Sequence, residues 1–497
     1  MATELTRLTA TEAVVLLQRR EVSPLDLVEA SAARIAEVEP AVNALPTLCL
    51  ERARDHAKRL MRGEGREHEL APGWLGGLPV SIKDLTDVAG VRTTYGSPIF
   101  KDQVPSDSHP VVKRIEARGG IVIGKSNTPE FGAGGSTFNE VFGRTRNPWN
   151  TSLTCGGSTG GGAVSVATGE VWLAQGTDHA GSLRRPGTYC SVVGLRPSPG
   201  RITRGTPNNL FAPLTVQGPM ARCVADVALF LDTVAGWCPL DPLTYDAPAG
   251  SYAQAVAEAE RHRPRRIAFT TDFNGQLPVD RETREICARE VRRFEALGCI
   301  VEEVAPDLGE LVEAFLLLRS QSFVVDRELQ LQTMREQLKP DIIWNTERGL
   351  AATPSQLAWA DRERAAFYRR MAKLFAGYDV LITPGAATPA FDVMLRNPVS
   401  IAGVKLEHYM AGSMLNAAIT MAGCPAVAVP CGFDRYGRPV GLQIAAPPRR
   451  EDVALRAAAL FEAEAGLHRL LPIDPRPGIV PPPEAVPEPA PHPAASR

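Results

Sequence analysis

Apolar residues recur at helical spacing near both ends of the chain, and between these regions they gather into short unbroken runs. Thr9 with Glu12 forms a capping box, after which Ala13, Leu16 and Leu17 follow the helical repeat. Ser23-Pro24 opens a second helix, with Leu27, Ala30 and Ile35 on one face and Pro40 just past its end. EGREHELAPG, residues 64–73, reads as a polar loop. LGGLPVSIKDL is a short buried strand ending near Lys83, SHPVVKRIEARG is helical, and GGIVIGKSN repeats the strand-then-loop pattern at residues 119–127. From residue 223, CVADVALFLDTVAG predicts a helix, RRIAFTTD a strand, DRETREICAREVRRFEALG a long helix closed by Gly298, and CIVEEV a strand. A mostly helical stretch covers residues 306–376. YDVLITPG, AGCPAVAVPCGF and GRPVGLQIAA return to strands, and EDVALRAAALFEAEAG is a closing helix. Strand and helix in alternation indicate an α/β architecture, and strands from both chain ends point to one large domain. Residues 473–497 are rich in proline and alanine and are expected to be disordered.

Composition mainly excludes. Of 497 residues, 44% are hydrophobic and 22% charged, as in an ordinary globular protein. The 54 basic and 56 acidic residues leave a net charge of −2, which draws the chain neither to nucleic acid nor to an anionic membrane. No run of ~18 apolar residues exists, and the amphipathic, partly acidic start is unlike a signal peptide. Nine cysteines, without CxxC or Cys/His spacing, argue against both a disulfide framework and a zinc site. Reduced thiols in the cytoplasm are expected, with no metal and no cofactor.

Residues 155–200 carry the densest chemistry. They hold two glycine-rich serine turns, GGSTGGG around Ser158 and DHAGSLR around Ser182. Glycines beside a serine let the backbone approach a ligand and turn its N–H groups toward it. The apolar run between the turns separates this segment from a linker. The pattern suits a nucleophile with an oxyanion site. None of the eight histidines stands in a pattern that names it a base, and the GxSxG elbow is absent. A lysine at an apolar strand end can serve instead, because burial disfavours its charged form. Lys83 is such a candidate, against the ordinary alternative of a solvated or salt-bridged lysine. GGSTGGG lacks the Lys-Ser/Thr that completes a P-loop, so nucleotide binding is not expected.

LPVSIKDLTDVAGVRTTYGS, IGKSNTPEF, CGGSTGGG, GTDHAGSLRRP, CSVVGLRPSPGRI and VQGPMARCVAD occur in this order, followed by YDVLITP, GCPAVAVP and RPVGLQIAA. Together they resemble the amidase signature family over about residues 5–470. The resemblance implies a mixed central β-sheet flanked by helices on both faces, in a domain spanning 1–472. Its parts would be N-terminal helices (8–60), a catalytic core (70–240), a variable substrate-pocket region (306–376) and a C-terminal core (377–465). It further implies a Ser–cis-Ser–Lys triad, in which Ser182 is the nucleophile and Lys83 the base. Ser158 would bridge them, following a cis Gly157–Ser158 peptide. Neutral Lys83 would take a proton from Ser158, which takes one from Ser182, and the alkoxide would attack a carbonyl to give an acyl-enzyme. Backbone N–H groups of His179, Ala180, Gly181 and Ser182 would form the oxyanion hole.

The substrates implied are small amides, with carbamates and esters also permitted, and the oligomeric state stays open, a homodimer included. Two rival readings stand beside this one: the amidase subunit of a tRNA-dependent amidotransferase, and a catalytically impaired binding homologue. The turn His179-Ala180-Gly181-Ser182 departs from the family's more usual Gly-Gly-Ser. If position 180 needs φ > 0, Ala180 strains the turn by roughly 1–2 kcal/mol. His179 either lines the acyl pocket or fills space behind the turn. Thr159 and Gly162 read as neutral packing changes, Asp178 as a brace for the turn, and Arg184 as an ion-pair partner beneath the nucleophile. Lys125 does not fit the triad spacing. Phe323, Trp344, Trp359 and Tyr368 are candidates for the pocket wall, with plain helix packing the alternative for each.

Overall fold

The protein is described by a computed structural model covering residues 2–64, 68–69 and 71–482, so residues 65–67 and 70 of the expected polar loop lie outside it. Eleven strands form one sheet: β1 (Thr47–Leu48), β2 (Pro79–Lys83), β3 (Ile121–Ser126), β4 (Leu173–Asp178), β5 (Val193–Arg196), β6 (Val216–Ala221), β7 (Arg266–Phe269), β8 (Ile300–Glu303), β9 (Val380–Pro384), β10 (Ala426–Phe433) and β11 (Pro439–Ala445). Across the sheet the order is β1-β3-β2-β4-β6-β5-β10-β11-β9-β7-β8. β2 runs parallel to β3 and β4, and β7 to β8 and β9, while the remaining neighbours are antiparallel. The two halves of the chain join where β5 pairs with β10, which makes one mixed sheet and one domain.

Alternate residues of these strands serve opposite faces. Val427, Val429, Leu442 and Ile444 pack with Leu455, Ala458 and Phe461 of the helix Glu451–Ala465. Their neighbours Ala426 and Ala445 turn the other way, toward Leu415 and Ala418. On β3, Val122 joins the first face, and Ile121 and Ile123 join Val164 and Ala167 on the second. Helices cover both faces, which is why the strands read as continuous apolar runs rather than alternating ones.

Four helices carry or flank the site: α1 (Gly160–Ala167), α2 (Arg184–Cys190), α3 (Leu311–Thr333) and α4 (Met414–Met421). Because β2 and β4 are parallel neighbours, their C-terminal ends, Lys83 and Asp178, open at the same edge of the sheet. α1 is buried along its whole length and opens with three glycines. A Cβ on Gly161 would lie 2.3 Å from the Asn127 nitrogen and 2.5 Å from the Ala44 oxygen. Only glycine lets this helix press against the end of β3 and fix the serine turn that precedes it.

Three local expectations change. Pro40 lies inside its helix, which spans Pro24–Val42 and ends at a left-handed Asn43. The proline forfeits a bond only in the final turn, where partners are already scarce. The helix expected over residues 280–298 divides into Arg281–Glu290 and Arg293–Ala296. The stretch 473–482, expected to be disordered, lies along the body. The amides of Ile473 and Arg476 reach Ala167 O at 3.0 Å and Pro148 O at 2.9 Å, and Thr151 N reaches Arg476 O at 2.9 Å. Asp474 pairs with Arg34 at 2.7 Å. Its prolines remove some donors, and Ile473 is buried. Residues 483–497 lie outside the described residues.

Candidate active site

Lys83, at the end of β2, is completely buried. Its Nζ meets three hydroxyls: Ser158 Oγ at 2.8 Å, Thr159 Oγ1 at 2.9 Å and Thr177 Oγ1 at 2.9 Å. Burial pushes its ammonium well below the ordinary 10.5, against the opposing charge of Asp178. The amine is therefore poised to be neutral, with two N–H donors and one lone pair. Thr159 gives its own proton to Thr177 O at 3.1 Å, so it accepts from the lysine. In the neutral amine the lone pair is open to the hydroxyl proton of Ser158 or of Thr177, the other serving as second acceptor. Thr159, which reads from sequence as a packing change, thus touches the Lys83 amine directly. Thr177 carries no signal in the sequence, and no spacing rule finds it. The Gly157–Ser158 peptide is cis.

Ser182 opens the turn into α2, and its carbonyl accepts from Thr159 N at 3.1 Å, tying the two serine turns together. Ser158 and Ser182 line the same cavity of about 170 Å³. The structure gives the Ser182 hydroxyl no hydrogen bond among the described residues, so the Lys83–Ser158 link is made and the Ser158–Ser182 link is not. Lys125 stands apart, on Asp84 at 3.2 Å and Thr93 Oγ1 at 2.6 Å.

Asp178 organises the turn. Its carboxylate accepts from Gly181 N at 3.1 Å and Leu183 N at 3.0 Å. It also pairs with Arg184 at 2.8 Å and Arg196 at 3.1 Å, all three side chains being inaccessible to solvent. Burial alone would raise this carboxyl, but the two guanidinium charges together outweigh it and hold the group well below the usual carboxylate range. Arg184 reaches on to Gln443 Oε1 at 2.9 Å and Thr420 Oγ1 at 3.1 Å, anchoring the turn to β11 and α4. The expected brace and ion pair are both present.

Two features of the turn expected to bind an oxyanion differ from expectation. Gly181, counted among the four amide donors, gives its N–H to Asp178, whereas the amides of His179, Ala180 and Ser182 have no acceptor among the described residues. The positive φ falls on Gly181 (+96°) and not on Ala180, so the strain considered at position 180 does not arise. A Cβ on Gly181 would also lie 2.6 Å from Asn416 Cβ and Cγ, and Asn416 is itself held by Gly385 O at 2.9 Å. Gly181→Ala is expected to lower the rate of amide hydrolysis by roughly 100-fold or more, because the clash with Asn416 would shift the turn and carry the neighbouring free amides out of place. Ala180→Gly should leave the rate almost unchanged. Initial rates of anilide hydrolysis check both, and a marked gain in Ala180→Gly would mean that the turn is strained after all.

His179 lines the cavity and also packs behind the turn. Its Nδ1 is 2.8 Å from Thr215 Oγ1, its ring lies 5.7 Å from that of Phe315, and its Nε2 is buried without a partner among the described residues. Burial, with the Arg319 and Arg196 charges adding, holds it well below the usual histidine range, so the ring is neutral at pH 7. The far wall is one face of α3: Arg319, Ser322, Phe323, Asp326 and Arg327, at helical spacing. Phe323 is a wall residue as expected. Trp344 stacks on His408 instead, Tyr368 borders a separate surface groove, and Trp359, half-buried, packs against the core cluster that includes residues of α3. Among the described residues no group of His, Cys, Asp and Glu could hold a metal ion.

The sequence profile of the Amidase family matches residues 26–455. An acylamidase from Rhodococcus erythropolis is 35% identical over 92% of this chain and 95% of its own length. A glutamyl-tRNA(Gln) amidotransferase subunit from Moorella thermoacetica is 33% identical over 94% of this chain and 99% of its own. The crystal structure of a bacterial aryl acylamidase, described as an amidase signature enzyme, superimposes with a TM-score of 0.86 at 26% identity, covering 95% of this chain and 99% of that one. Fold, motifs and relatives agree: the chain belongs to the amidase signature family.

Proposed function

We propose that this hydrolase cleaves C–N bonds of small amides through an acyl-enzyme formed on Ser182. The observation that carries the reading is the buried Lys83 amine in contact with Ser158, in a cavity that Ser182 also lines. Lys83 draws the Ser158 proton, Ser158 draws that of Ser182 once substrate closes the second link, and the alkoxide attacks the carbonyl. The proton returns along the same path to the leaving nitrogen, and water then releases the acyl group. The free amides of His179, Ala180 and Ser182 stabilise the oxyanion. Carbamates and esters fall within the same chemistry, because the attack requires only a carbonyl with a leaving heteroatom. The cysteines, all unpaired, fit a reducing cytoplasmic setting.

The similarity to amidotransferase subunits favours a second reading, in which the chain supplies ammonia within a larger assembly. The two separate in one experiment. The purified chain, without glutamine or tRNA, is incubated with p-nitroanilides of graded acyl length, and the release of p-nitroaniline is followed. Turnover is expected, together with stoichiometric labelling of Ser182 by a fluorophosphonate. Absence of both in folded protein would leave the impaired binding homologue standing.

A further inference from the structure

Arg319 is a buried cation without a counter-ion among the described residues. It is 5% exposed and lines the cavity beside the two serines. Among the described residues its one hydrogen bond goes from Nη2 to the Tyr409 hydroxyl at 2.8 Å, and its Nε is buried without a partner. Other comparably buried arginines have stronger acceptors: Arg184 and Arg196 face Asp178, Arg201 faces Glu451 at 3.2 Å, and Arg185 and Arg222, which do not line the cavity, donate to backbone carbonyls. No carboxylate pairs with Arg319 among the described residues. The Phe323 and Tyr409 rings, 4.8 and 5.8 Å from its central carbon, offset part of the lost hydration but offer no acceptor to the guanidinium fork. Burying such a charge is costly unless a partner arrives.

Asp326, on the same face of α3, does not fill this role. It lies seven residues on, about 10 Å along the helix axis, and the charges that act on it are Arg327 and Arg204. With His179 neutral, the cavity walls carry Arg319 and Arg327 against the single Asp326, an excess of one positive charge.

We propose that the natural substrate carries a carboxylate and that Arg319 receives it. A carboxylate matches the planar fork in two parallel hydrogen bonds. The cavity of about 170 Å³ is open to solvent and takes up a short chain or a single small ring of the substrate, the rest extending outward. This inference rests on the hydrolase reading and names the substrate class of the same site. His179 Nε2, a buried side-chain nitrogen that also lines the cavity and has no partner among the described residues, is available for a further polar group of such a substrate.

Two matched pairs test it. Glutaryl p-nitroanilide is compared with its terminal carboxamide, and N-acetyl-4-aminobenzoate with N-acetyl-4-aminobenzamide, so that the charge sits on the acyl side or on the leaving group. In one pair kcat/KM is expected to favour the carboxylate by roughly 10- to 100-fold, the scale of a charge-assisted hydrogen bond. In Arg319→Gln the preference within that pair should collapse, and in Arg319→Lys part of it should remain. Melting temperatures verify folding, and if Arg319→Gln does not fold, the lysine variant and the wild-type ratio decide. The same pairs are titrated calorimetrically into Ser182→Ala protein, which reads binding without turnover. A binding preference without hydrolysis would sink the catalytic reading and keep this one. No preference in either pair, or a preference unchanged in Arg319→Gln, overturns it.

Discussion

Ser182→Ala is expected to lower kcat by roughly five to six orders of magnitude, the scale seen when a serine hydrolase loses its nucleophile. The fold should not suffer. The contribution of Ser182 to the architecture is its backbone carbonyl, which accepts from Thr159 N at 3.1 Å and survives the substitution. The side chain is 8% exposed and makes no hydrogen bond among the described residues. A melting temperature equal to that of the parent, with no anilide hydrolysis and no fluorophosphonate labelling, is the predicted result. Activity within 100-fold of the parent would move the nucleophile elsewhere, and labelling would then locate it.

Lys83→Met should cost nearly as much. Methionine keeps the length and apolar stem of lysine but removes the lone pair, so the hydroxyl chain has nowhere to send its proton. Because the groups work as a unit, Lys83→Met combined with Ser182→Ala should be scarcely worse than either alone. The pH profile carries the same information independently. Only the neutral amine accepts a proton, and burial sets its folded value well below 10.5. Activity should therefore fall as pH drops through that depressed value and level off above it. Stability follows the same direction. Between the folded value and 10.5 the unfolded chain binds a proton that the buried amine refuses, so each pH unit downward weakens the fold by about 1.4 kcal/mol. Lys83→Met should lose both dependences. An acid limb that persists unchanged in that variant would assign it to another group.

The strands and helices outside the centre were legible because their apolar residues repeat at a clear period. β2, β3, β9, β10, β11 and the helix Glu451–Ala465 fall where the pattern puts them. α1 was not legible. GGGAVSVA has poor helix propensity, and its residues form a helix because the surroundings bury every one of them. At the site, glycine-flanked serines and a lysine at a strand end marked Ser158, Ser182 and Lys83 as candidates, and the family resemblance supplied their expected roles. Thr177 and Arg319 leave none. Thr177 is one more residue of a strand, and Arg319 is one more charge in a long helix, until the fold turns each toward the cavity. The division of amides in the turn was equally hidden, since only coordinates reveal that Asp178 claims Gly181 and spares Ala180.

The cavity has two walls of different origin. One is the sheet edge, where Asp178, Arg184 and Arg196 lock the serine turn to β11 and α4. The other is a single face of α3, which lies outside the sheet. Mutations on these walls therefore have separate consequences. A change at the sheet edge disturbs several partners at once and lowers the turnover of every substrate. A change at positions 319, 322, 323 or 326 redraws which molecules fit while the reacting groups stay where they are. Divergence toward new substrates, natural or directed, has its shortest path along that helix face.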